Sequence, residues 1–482
     1  MGRGPGQHVA LPEGVHPHAF FPIFVTFMAP PINLKMKKLP GLVFFLCTAF
    51  FDFSCHHSRY SNEQASPIDA ALADSISKIR IIDNHAHPNT IDTADAGADA
   101  LPMDGLGAIA LPARVRPESA TWVSAYQAMY GFTGSELNEQ ALKELSGKVA
   151  RVKKDKGENF PAWVLDQCGI DVMFANRMAM GPGLSPKRFR WVMFDDALLF
   201  PLSTVQEAAA TPDRKILYPM ETQHLKDYLS AQKLSKVPAT LDAYLKQVVT
   251  PTLEAQKKAR CAAIKFEVAY LRSLDFEKTT YAAAAAVYAR NANGGAPSRQ
   301  DYKLLQDYLF YFIAGEAGRL GLAVHIHDFP GVGNYYVAAG SNPMLLEPVF
   351  NDPDLRNTKF VLLHGGGPYS EEINAMLWKP NVYVDISLLT QLWTPDQLAA
   401  VLRQYLSQFP EKVLFGTDAD AFGPGYGWEL SAWIASTTGR QALGIALSQM
   451  MRSNELSRKR AIEIARMVMR GNANNLYHLG QK

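Results

Sequence analysis

His85 and His87 stand two residues apart at the close of the apolar run Ile79-Arg80-Ile81-Ile82-Asp83. Side chains two apart on an extended chain face the same way, so both imidazoles project from one strand end toward one point. One strand end thereby offers two nitrogen ligands to a divalent metal. The same spacing recurs at His325/His327 and at His16/His18; the last pair sits in an unpatterned leader and carries no such reading. Three further apolar runs also finish in a residue that can bind metal: Leu322 to His327, Phe360 to His364, and Val413 to Asp418. Taken singly, a strand-end histidine can be merely hydrogen-bonded and a strand-end aspartate can cap a helix. Four such ends together point to one metal-centred site.

Two cations read less sharply. Lys265, in Ile264-Lys265-Phe266-Glu267, would bridge two metals if carbamylated, bind a substrate carboxylate if not, or pair with Glu267 on the same face. Arg272 would fork onto an anionic substrate or lie solvated at the surface. Asn176-Arg177, after the second strand, repeats the argument more weakly.

These positions need parallel strands to converge. From Ile79 onward, short apolar runs alternate with longer amphipathic stretches, the pattern of repeated βα units. The strands expected are 80–83, 171–176, 191–194, 262–266, 323–327, 360–364, 382–386 and 412–416. Eight strands interleaved with helices make an α/β protein, a (β/α)8 TIM barrel, in which residues at strand C-terminal ends line the mouth. The span is long for that fold and the excess falls in its first half, where residues 101–160 hold two expected helices, 119–130 and 135–153, as a helical insertion or lid.

Composition agrees with a folded enzyme and removes other classes. The chain of 482 residues is 48% hydrophobic and 20% charged, which excludes wholesale disorder. Its 48 Lys+Arg against 46 Asp+Glu leave +2, no basic field for nucleic acid, so the partner expected is a small-molecule substrate. Four cysteines make no disulfide scaffold, and Cys168 and Cys261, in apolar surroundings, read as buried thiols.

The front of the chain reads separately. Residues 1–35 form an upstream extension; 36–55 place Lys37 and Lys38 before the apolar run 39–51, the layout of a secretory signal. Ser54-Cys55 resembles a lipoprotein processing site, with Cys55 the expected lipid anchor. Residues 56–78 are then a tether and 79–480 the barrel, and the protein is expected to be exported, periplasmic or membrane-anchored.

In order along the chain, these residues resemble the metal-dependent amidohydrolase superfamily, in particular its amidohydrolase-2 branch. The resemblance rests on Ile82-Asp83-Asn84-His85-Ala86-His87, Val361 to Gly366, Asn381 to Ser387, Leu414 to Ala419, and the tail Asn472 to Tyr477. Residues 264–272 look like the corresponding region of amidohydrolase domains fused to glutamine-synthetase-like proteins. The resemblance implies that His85, His87, His327 and Asp418 ligate a divalent metal, Zn²⁺ before Mn²⁺, and that His364 polarises substrate, moves protons or holds a second metal. His325 lies outside the pattern, one layer deeper, where it would support the ligands.

That constellation implies water activation at neutral pH, with Asp418 moving the proton, to hydrolyse an amide or, less readily, a lactone. A non-oxidative decarboxylase of the same branch is the alternative, and a non-catalytic ligand-binding lipoprotein the second.

Overall fold

The computed structural model describes residues 67–480, apart from 93, 94, 96, 103–105, 107–109, 332–334 and 424. The leader expectations, including the export segment and Cys55, lie outside the described residues. Among the described residues no helix is long and apolar enough to cross a membrane.

Eight strands follow one another around a single parallel sheet: β1 (Ile81–Ala86), β2 (Ile170–Asn176), β3 (Phe189–Phe194), β4 (Ala263–Phe266), β5 (Ala323–Ile326), β6 (Phe360–Leu362), β7 (Val382–Asp385) and β8 (Val413–Leu414). The ring is brought together between β1 and the segment after β8, where Asn84 N donates to Phe415 O (2.8 Å) and Asp418 N to His85 O (2.7 Å). The Asp83 carboxylate crosses the same seam, accepting from the Thr417 backbone N–H at 2.9 Å and the Thr417 hydroxyl at 2.6 Å. The result is a (β/α)8 TIM barrel.

Strands buried on both faces carry apolar residues on both. Ile81, Ile170 and Ile264 pack outward among the helices, while Ile82, Val172, Val192, Ala263, Val361 and Leu414 fill the lumen. Each fully buried Val or Ile contributes ~1.5–3 kcal/mol. The lumen is closed from below by the chain's own tail: the helix Asn472–Leu476 and Tyr477 pack into this inner cluster, with the Tyr477 ring 4.4 Å from that of Phe174.

Between β1 and β2 the chain adds two long helices. Helices Ala120–Tyr130 and Glu139–Lys156, capped by Ser119 and Asn138 through their side chains, form the insertion. Trp122, Tyr126, Met129 and Leu145 from it make a second small core with Tyr426, Leu430 and Ile434, at the start of the long helix Trp428–Arg452. The insertion is thus anchored to the segment after β8, beside the barrel mouth. Cys168 and Cys261 are buried free thiols, and burial raises the pKa of both.

Candidate metal centre

β1 delivers its histidines through an irregular stretch. Its register with β2 shifts between Asp83 and Ala86, which interrupts strict alternation, so that Asn84 and His85 both join the interior polar network. His85 is fully buried, with Nε2 3.4 Å from His87 Nε2 and 2.9 Å from Asp418 Oδ1. His87 Nε2 in turn stands 3.6 Å from that same oxygen.

The other two contributors reach the centre from turns. β6 ends at Leu362 and β8 at Leu414, earlier than the apolar runs suggest, because the backbone then bends sharply. His364 has φ 68° and Asp418 φ 54°, both in the left-handed region that non-glycine residues seldom occupy. Such strain persists only where surrounding contacts hold it. For His364 those contacts are visible: Asp385 Oδ1 accepts its backbone N–H at 3.0 Å, and Ser387 Oγ lies 3.0 Å from Nδ1. The next turn needs glycine, since a Cβ on Gly366 (φ 62°) would meet Ile373 Cγ1 at 2.1 Å.

Ligand atoms of His85, His364 and Asp418 lie within 4.8 Å of one another, close enough to share one ion. His87 adjoins this triad. His327 sits behind it, with Nδ1 2.9 Å from His364 Nε2 and its ring 4.4 Å from that of Tyr270. Its Nε2 is buried and without a hydrogen-bond partner. His325 is hydrogen-bonded elsewhere; its Nε2 is 2.7 Å from the Tyr477 hydroxyl.

The electrostatics keep the imidazoles neutral. Burial, with the Lys265 charge and neighbouring imidazoles adding to it, lowers the pKa of His85, His327 and His364 well below the usual range. Burial brings His87 down to about 4 despite the opposing charge of Asp99. Neutral imidazoles are the form that binds metal. Burial lifts Asp418 to about 7, against the opposing pull of Lys265. A pocket of neutral imidazoles, one carboxylate and an unpartnered buried nitrogen fits a divalent ion.

Lys265 is at the centre, its Nζ 3.5 Å from His85 Nε2 and 3.3 Å from Glu267 Oε1. Arg272 is not. Its guanidinium pairs with Asp307 at 2.8 Å, donates to Gln306 Oε1 at 3.1 Å and lies over the Phe276 ring, so its charge is already met. Arg177 likewise pairs with Asp95, while Asn176 Nδ2 donates to Ala86 O at 3.1 Å.

Asp385, Ser387, Asn84 and Tyr477 escape a search for metal ligands, yet they form the scaffold beneath it. Asn84 Nδ2 donates to Asp385 Oδ2 at 2.8 Å, and Tyr477 donates to Asn84 Oδ1. The signal available was the polar close of β7, Asp385-Ile386-Ser387, which repeats the pattern of the other strand ends. A cavity of about 840 Å³ adjoins the centre, between the loop after β1, the inner face of Glu139–Lys156 and the start of Trp428–Arg452. Asp99 borders both, with Oδ2 3.8 Å from His87 Nδ1.

Comparison with known proteins bears on this geometry. The sequence model of the amidohydrolase family matches residues 274–479. Protein fluG of Emericella nidulans is 26% identical over 144 residues, which are 30% of this chain and 16% of that protein, so the match spans a small part of the relative's length. Uronate isomerase from Thermotoga maritima superposes with a TM-score of 0.57 at 13% identity, covering 85% of this chain and 98% of the other. Glucuronate isomerase from Caulobacter crescentus gives 0.58 at 14% identity, covering 88% and 98%. At such identities the two structures share the fold alone with this chain.

Proposed function

From the match of residues 274–479 to the amidohydrolase family we propose that the chain is a metal-dependent hydrolase that cleaves an amide bond, or less readily a lactone, in a small molecule. The observation that carries the proposal is the placement of Asp418. Its Oδ1 lies 2.9 Å from His85 Nε2 and its Oδ2 4.0 Å from His364 Nδ1, so one carboxylate faces both a ligand nitrogen and a second imidazole.

His85, His87 and Asp418, with His327 through its unpartnered Nε2 as the third imidazole, would hold the ion. Zn²⁺ suits this nitrogen-rich set, and Mn²⁺ is the second choice. When bound, the ion supplies a Lewis acid for a carbonyl and lowers the pKa of water toward neutrality.

The protein's own groups do the rest. Asp418 accepts a proton from the attacking water and returns it to the leaving nitrogen, the work of a general base that then serves as acid. His364, fixed between Ser387 and His327, holds its imidazole in one orientation beside the Asp418 carboxylate. Lys265, balanced by Glu267, adds a positive charge beside the same point.

The test is product analysis on protein loaded with Zn²⁺ or Mn²⁺ and offered N-acyl amino acids, dipeptides, lactones and aromatic acids. Incorporation of ¹⁸O from labelled water into a carboxylate product supports hydrolysis. Release of CO2 without that label would replace it with decarboxylation.

A further inference from the structure

Arg214 lies in the turn between the helices Val205–Ala210 and Leu217–Ala231, within the β3–β4 connection. It is 9% exposed, and its one side-chain hydrogen bond among the described residues runs from Nη1 to the Tyr270 carbonyl at 2.9 Å. No carboxylate pairs with it there. A guanidinium taken so far out of water normally has an anion against it, since an uncompensated buried charge is strongly destabilising.

The space beside Arg214 is a cavity of about 420 Å³, lined also by residues that follow β4 and β5 and hence on the mouth side of the barrel. Its other charges are already committed. Arg272 is held by Asp307, Lys303 by Asp307 and Asp275, and Arg299 by Glu207 at 3.3 Å. Gln306, on the wall, accepts from Arg272 through Oε1. The cavity therefore offers one guanidinium with no carboxylate of its own, which an oxyanion would match.

Its position links it to the centre. The residue whose carbonyl receives Arg214 is Tyr270, and the Tyr270 ring packs edge-on against His327 at 4.4 Å. We propose that this cavity binds the carboxylate of the substrate, with Arg214 as its anchor, so that the enzyme acts on small carboxylic acids. This rests on the hydrolase reading for the word substrate, but the site itself does not. A planar, fork-shaped donor set favours a carboxylate, which can accept two parallel N–H bonds. Arg214 thus takes the role that sequence reasoning gave to Arg272.

The experiment is calorimetric titration of the full chain, without turnover, using succinate, its uncharged diamide succinamide, and inorganic phosphate. Succinate should bind saturably and at least ten-fold more tightly than succinamide or phosphate. Arg214→Gln should remove that preference, and Arg214→Lys should restore only part of it because the fork is lost. Gln300→Glu, at an exposed position on the cavity wall, should weaken succinate several-fold without touching the core. Equal binding of succinate and succinamide, or an Arg214→Gln protein that folds and still prefers succinate, would overturn the proposal; tighter phosphate binding would overturn the carboxylate assignment. An enzyme that hydrolyses neutral amides yet shows no such preference would keep the hydrolase reading and lose this one.

Discussion

Ser387 Oγ lies 3.0 Å from His364 Nδ1, and this contact decides which nitrogen of the ring carries its proton. The same hydroxyl is 2.6 Å from Asp385 Oδ1, a carboxylate that also accepts from the backbone N–H groups of His364 and Ser387 and from Asn84. A carboxylate gathering four donors takes the Ser387 proton, so Ser387 must accept from His364 Nδ1–H. His364 Nε2 then holds a lone pair toward His327 Nδ1–H, which leaves His327 Nε2 as a free, buried lone pair. The tautomers of two histidines follow from one aspartate.

Ser387→Ala removes the acceptor and releases His364 to both tautomers. Activity of the metal-loaded enzyme should fall by about 10–100-fold, the usual effect of losing an outer partner in the hydrogen-bond chain behind a metal ligand, here His327 through His364. Long-range ¹⁵N–¹H spectra of histidine-labelled protein should show a single neutral tautomer for His364 in the parent and a mixture in the variant. An unchanged spectrum would break the chain of reasoning from Asp385.

Metal should stabilise the fold. At an ion concentration 100 times its dissociation constant the gain is about 2.7 kcal/mol, read as a rise in the midpoint of thermal unfolding. Chelation should reverse the rise, and His85→Ala should abolish it, since His85 Nε2 is common to the His87, Asp418 and Lys265 contacts. A parent protein whose midpoint ignores both Zn²⁺ and Mn²⁺ has no centre of this kind.

Tyr477→Phe deletes a hydroxyl that serves His325 and Asn84 at once. Two buried polar groups lose a partner, which costs about 1–3 kcal/mol each where nothing replaces it. Urea unfolding should show that loss. A variant as stable as the parent would mean that solvent fills the gap at no cost.

Asp195 gives stability a pH dependence of its own. Burial lifts its pKa to about 7, against the opposing Gln256 Nε2 bond at 2.7 Å. The folded state therefore holds the proton more tightly than the unfolded chain, where a carboxyl titrates near ~3.9. Its contribution is present below about pH 4 and is lost as pH rises through about 7, with a ceiling of about 4 kcal/mol. Asp195→Asn removes this dependence, so the variant should gain on the parent progressively between pH 4 and 7. Urea midpoints across that range, taken as differences between the two proteins, provide the check; a constant difference would show that Asp195 titrates normally.

Much of this was legible before any coordinates. Each expected strand overlaps an observed one, because a parallel barrel strand buried on both faces must be written as a short apolar run, and a run ending in His or Asp marks the mouth. What escaped was whatever depends on partners distant in sequence. Arg272 looked free because Asp307, which neutralises it, sits on a helix 35 residues later. Arg214 drew no reading from the sequence, because nothing nearby in the chain reveals that it is buried. Nor does apolar patterning report the left-handed turns at His364 and Asp418, which arise where contacts across the barrel hold the backbone.

The tail that closes the barrel floor also dates the centre in the life of the chain. Tyr477 bonds to Asn84 across 393 residues of sequence. At a synthesis rate of roughly 5–20 residues per second, β1 waits on the order of 20–80 seconds before its last partner exists. During that interval the nascent histidines cannot be held as they are in the finished barrel. The site cannot be completed before residue 477 has been made, and ribosome-bound chains that stop short of it should load metal poorly.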